Sequence, residues 1–184
     1  MTSRLPIAVF SLFASAAVAA CATTPAPHAA PPVAGAVSPT PGVYAAGRIA
    51  AADIERLRAA GIRQVIDLTP DDETPDFDEA AAVRRSGLAY SNLALRGAAD
   101  LTRDNAIAFD ALMRSAQRPT LVHCASGNRV GAMAALRAAW IEGRSADEAV
   151  AIGKAWGLKG LESEVRLRIE AGPERAGRQS SQRP

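Results

Sequence analysis

The chain has 184 residues, with 21 Lys+Arg against 19 Asp+Glu (net charge +2), 48% hydrophobic residues and only 4% aromatic ones. This length suits one compact domain plus terminal segments. The basic residues are spread along the chain rather than gathered on one stretch, so no nucleic-acid partner is expected. The heavy use of alanine points to a core of small aliphatic side chains.

Arg4 followed by the apolar run Leu5–Ala20 reads as an export signal, too short for a comfortable membrane span. Its end, Val18-Ala19-Ala20-Cys21, resembles the bacterial lipoprotein signal. That resemblance implies cleavage after residue 20, lipidation of Cys21 and membrane attachment through the lipid. By analogy with Gram-negative lipoproteins, Ala22 after the cysteine favours the outer membrane with a periplasm-facing domain. The alternative is an ordinary secretory signal. Residues 21–41 carry six of the twelve prolines and read as a disordered, semi-rigid tether. Residues 42–171 form the expected domain and 172–184 a disordered tail. The two cysteines, Cys21 and Cys124, each have a separate explanation, so no disulfide is expected.

Within the domain, Val43–Ala45 is a short strand, and residues 53–60 have helical spacing that ends at Gly61. Residues 64–68 form a β-rich run, 69–75 an acidic loop, and 77–86 a helix closed by Gly87. A third strand falls within 88–95 and a loop spans 96–100. Thr102 caps a helix reaching Ser115. A fourth strand at 120–123 is followed by a helix over 129–142, with Met133, Leu136, Trp140 and Ile141 as core contacts. Ser145 caps another helix, with Asp147 and Glu148 in its first turn, and a last helix covers 161–171. This alternation predicts an α/β domain, a small mainly parallel sheet of four to five strands flanked by helices. In such sheets, ligands bind beyond the carboxyl ends of the strands.

At one of those ends lies His123-Cys124-Ala125-Ser126-Gly127-Asn128-Arg129-Val130-Gly131. A helix N-terminus and a nearby guanidinium favour a thiolate over the thiol, whose free pKa is about 8.5. Gly127 permits a turn that aims backbone N–H groups inward, and the planar fork of Arg129 can hold two oxygens of one anion. His123 would orient the loop or promote the thiolate. Together these residues predict a nucleophile in an oxyanion cradle formed by Ala125, Ser126, Gly127, Asn128 and Val130.

The motif resembles that of the cysteine-dependent protein phosphatases. More narrowly, residues 43–160 resemble the phosphatase-like domain of the bacterial beta-lactamase hydrolase-like proteins. The likeness rests on the loop, on Gly42–Arg48, on Gly61–Leu68 and on Ala98–Thr102. It implies a phosphate-monoester hydrolase acting on a phosphorylated substrate, with Cys124 as nucleophile, Arg129 binding the oxyanion and an aspartate as general acid. Asp100 is the first candidate for the acid and Asp104 the second. Asp71, Asp72 and Glu73 form a third, acidic loop, with two readings: one that faces the site and, preferred, a solvated turn. Two departures stand out. Only four residues separate Cys124 from Arg129, a spacing shared with rhodanese-type sulfurtransferases. Val130 also replaces the hydroxyl residue that commonly follows the arginine, and Ser126 is the possible substitute. A sulfurtransferase and a weakly catalytic anion-binding envelope lipoprotein are the alternatives. No cofactor is implied, and one histidine and one cysteine in the domain give no zinc-like ligand spacing, so no metal ligand is assigned.

Overall fold

The computed structural model describes residues 31–173. The signal segment, residues 21–30 of the expected tether with Cys21, and residues 174–184 of the expected tail lie outside the described residues. Five strands form one sheet, β1 (Val37–Thr40), β2 (Val43–Ala46), β3 (Gln64–Asp67), β4 (Ala89–Asn92) and β5 (Thr120–His123). Their spatial order is β1-β2-β5-β3-β4, with β1 antiparallel to β2 and the remaining pairs parallel. Among the described residues six α-helices accompany them, α1 (Ala51–Ala59), α2 (Glu79–Arg85), α3 (Arg103–Ser115), α4 (Asn128–Trp140), α5 (Ala146–Ala155) and α6 (Glu162–Ala171). The expected mainly parallel α/β sheet is therefore present.

One expectation fails. Residues 37–40, expected in the disordered tether, instead pair with β2, and Val33 and Ala36 are buried just before them. Proline-rich composition argues against a central strand, yet an edge strand tolerates Pro39 because it needs fewer ladder donors.

The inner strands β3 and β5 are buried at every position, as strands covered on both faces must be. One core cluster unites Val65 and Leu121 of the sheet with Ile54 and Leu57 of α1 and Val83 of α2. The other unites Ile66 and Val122 with α3, α4, α5 and α6, and there Phe109 meets Trp156 edge-on at 6.4 Å. Alternate residues of β5 thus serve opposite layers.

The predicted caps form. The Thr102 hydroxyl accepts from Asn105 N–H, and Ser145 and Glu148 complete a capping box at α5. α4 is the central helix, with nine of its thirteen residues buried. Met133 and Leu136 are fully buried, whereas Trp140 and Ile141 pack at the margin. α4 crosses α5 at backbone distance. A Cβ on Gly131 would stand 2.1 Å from Leu158 N and 2.7 Å from Gly153 O. Neither neighbour is a movable side-chain tip, so Gly131→Ala should destabilise the fold by about 2 kcal/mol or more. Thermal unfolding that leaves Tm unchanged in this variant would disprove the close crossing.

Candidate active site

The topology prepares the site before any side chain is considered. β5 lies between β2 and β3. The connections leaving β2 and β3 run to α1 and α2 against one core, while β5 runs into α4 against the other. Neighbouring strands thus send their loops to opposite faces and leave a crevice at the end of β5. Cys124 follows the strand there and is fully buried.

The loop is held from several directions. Cys124 N–H donates to Ala46 O at 3.4 Å, Arg48 N–H to Ala125 O at 3.2 Å, and Leu68 N–H to His123 O at 2.9 Å. Gly127 adopts φ 80° and opens α4, so a side chain there would be strained. The first N–H groups of a helix have no intrahelical acceptor and are available to an anion; here they belong to Asn128, Arg129 and Val130. The Asn128 side chain faces elsewhere, its Oδ1 accepting from Lys159 N–H (2.8 Å) and Leu161 N–H (3.3 Å). Val130 is fully buried in the core, and Ser126 is exposed.

Arg129 is 7% exposed and its charge is compensated. Nη1 and Nη2 donate to Oε1 and Oε2 of Glu73 at 2.8 and 2.6 Å, a bidentate pair, and Nη1 also donates to Leu95 O. The hydrogen bonds to Glu73 raise the Arg129 pKa, burial opposes them, and the neighbouring Cys124 adds to the rise. The same pairing holds Glu73 below the ordinary carboxylate range. The ion pair therefore contributes stability above that range and loses it as acid protonates Glu73.

The solvated-turn expectation holds for two of the three acidic residues. Asp71 and Asp72 are exposed, with Asp72 bonded to Arg96 at 2.8 Å. Glu73 instead points its carboxylate at the cation of the loop, while Arg48 Nη1 donates to its carbonyl at 3.1 Å. No sequence signal marks a partner 56 positions away.

Asp100 sits in a single 3₁₀ turn, Ala98–Asp100, at the end of the segment that begins with Leu95 beside Arg129. Its Oδ2 accepts from Arg96 N–H at 2.6 Å. Asp104 is exposed in the first turn of α3. The His123 ring lies on the α2 side of the sheet with Nε2 2.7 Å from Glu79 Oε1, so its side chain serves α2 rather than the thiol. Asp67, Glu79 and His123 bring ligating atoms within 4.8 Å of one another, a grouping that linear spacing does not display.

This fold is that of the protein-tyrosine-phosphatase-like phosphatases. A candidate phosphatase from Neisseria meningitidis superposes with a TM-score of 0.59 at 23% identity, over 70% of this chain and 94% of that one. Pseudomonas aeruginosa TpbA, solved as a Cys-to-Ser variant with phosphotyrosine, gives 0.58 at 16% identity, over 87% of this chain and all of that one. The model of the family described as beta-lactamase hydrolase-like protein, phosphatase-like domain, matches residues 37–141, and the chain belongs to that family. Two beta-lactamase hydrolase-like proteins of Xylella fastidiosa are 38% identical over 103 residues, which is 53% of this chain and 23% of each relative.

The Glu73 carboxylate takes up both outer nitrogens of the Arg129 fork, the two donors that the sequence reading reserves for an oxyanion. Glu73→Gln should therefore tighten inorganic phosphate binding about tenfold, or about 1.4 kcal/mol. Calorimetric titration showing equal or weaker affinity would make Glu73 a positioning partner of Arg129 instead.

Proposed function

We propose that this domain hydrolyses a phosphate monoester through a phosphoenzyme on Cys124. The observation that carries the reading is the convergence of a buried cysteine, the start of α4 and the Arg129 guanidinium at the carboxyl end of the central strand. The Cys124 sulfur attacks phosphorus and the bond to the leaving oxygen breaks. Arg129, released by Glu73, and the N–H groups of the loop hold the non-bridging oxygens. Asp100 gives its proton to the leaving oxygen and then takes one from the water that frees phosphate. For this step, the turn at 96–100 has to bring the Asp100 carboxyl from Arg96 N–H toward the thiol.

Family membership and a phosphatase-like fold support this reading. The four-residue spacing between Cys124 and Arg129 supports sulfur transfer as the second reading. The purified protein should hydrolyse an aryl phosphate, and Cys124→Ser should abolish turnover. Asp100→Asn should lower kcat on a poor leaving group by about 10²–10⁴ and far less on a good one. Equal losses on both remove Asp100 from the acid role. Transfer of sulfur from thiosulfate to cyanide without ester hydrolysis replaces the phosphatase reading with the second one.

The proposal extends to the envelope, with the domain lipid-anchored through Cys21 and facing the periplasm. Its support is the residue pattern at 4–22. Labelled palmitate should enter the wild-type chain expressed in a Gram-negative host and be absent from Cys21→Ser. Equal labelling of both eliminates the anchor.

A further inference from the structure

A second group of reactive side chains lies on the opposite layer from Cys124. Asp67 ends β3, His123 ends β5 in direct register with it, and Glu79 opens α2. They are 4%, 1% and 6% exposed. His123 Nε2 is 2.7 Å from Glu79 Oε1 and 3.6 Å from Asp67 Oδ1. Asp67 and Glu79 line a cavity of about 320 Å³ together with Asp71, Phe77, Asp78 and Tyr90.

The charge balance of this group is incomplete. Two buried carboxylates need compensation, because an unpaired buried charge is costly. Among the described residues neither forms an ion pair with a lysine or arginine, and their shared partner is the His123 ring. Asp67 is fixed by neutral donors, with Thr69 N–H on Oδ1 at 2.7 Å and the Tyr90 hydroxyl on Oδ2 at 2.9 Å. Glu79 is held by one oxygen only. Within the group the buried ring atom His123 Nδ1 has no hydrogen-bond partner among the described residues, and the Glu79 side chain, held through Oε1, lines the cavity.

We propose that Asp67, Glu79 and His123 form a binding site for a divalent transition-metal cation, reached through this cavity. The ligand set of one imidazole and two carboxylates suits Zn²⁺ or Mn²⁺, and a 2+ ion cancels the two negative charges. A metal about 2.1 Å from each donor spaces its ligands about 3.0–3.4 Å apart. The Nε2–Oδ1 separation is already close to that, and the Glu79 carboxylate needs a small rotation away from Nε2. The donors to Asp67 act as the outer partners that orient a metal-binding carboxylate, and water from the cavity completes the coordination. The site stands whether or not Cys124 turns over a phosphate ester.

The test titrates the full-length protein, stripped with chelator, with ZnCl₂ and with MnCl₂ by calorimetry. One equivalent should bind, and Tm should rise with metal concentration. Glu79→Gln keeps the size of the side chain and a hydrogen bond to His123. It should weaken the affinity at least about tenfold while circular dichroism stays that of the wild type. Asp67→Asn provides the second variant should Glu79→Gln unfold. Anomalous scattering from a metal-soaked crystal should place the ion between the three side chains. Absence of binding by both metals, equal affinity in a folded variant, or an anomalous peak elsewhere each overturns the proposal.

Discussion

The buried guanidinium of Arg129 is the constraint around which this end of the domain is arranged. A cation this enclosed costs several kcal/mol unless its donors are met. Its partners come from three separate segments. Glu73 reaches it from the turn after β3, Leu95 supplies a carbonyl from the segment after β4, and Cys124 lies beside it at the end of β5. Each segment follows a parallel strand, so the sheet delivers all three to one edge. Compensation of a single charge therefore gathers the parts of the site proposed to bind an anion.

Much of this was legible in the residues because the information is local. Alternating strand and helix patterns, the Thr102 and Ser145 caps and the strand–loop–helix frame of Cys124 all lie within short windows. The likeness to a phosphatase-like family was legible for the same reason, since it rests on contiguous motifs. What escaped depends on distant pairing or competing composition. Glu73 stands among three consecutive acidic residues that look like a solvated turn, and only the return of the chain 56 positions later gives it a buried partner. Glu79 looks like an ordinary first-turn carboxylate of a helix, a placement that the helix dipole alone would justify. β1 was obscured by the prolines around it, although its pairing with Val43–Ala46 places it firmly in the sheet.

The two layers of the sheet divide the chemistry. Successive residues at the end of β5 face opposite ways, so His123 and Cys124 belong to different environments despite their peptide bond. One joins carboxylates from β3 and α2; the other joins the cation of α4 and the alanine-rich core. Adjacent positions thus support two distinct assignments, and a substitution at either is transmitted to its neighbour through one short backbone segment. The chain spans less than a quarter of the length of its Xylella relatives, so these assignments concern the domain and not the larger proteins.

The close crossing of α4 and α5 bears on how the cradle discriminates. Gly131 is pressed against the backbone of Leu158, Gly157 leaves room for Gly127, and Asn128 is bonded to the turn at Lys159 and Leu161. The carboxyl-terminal half of the loop is consequently backed by close backbone contacts and by the two Asn128 hydrogen bonds. With four residues between thiol and guanidinium, its aperture is set by covalent geometry and helix contact. On the proposed function, ligand size would be judged by this ring, and adaptation would fall to the separate segment that carries Glu73.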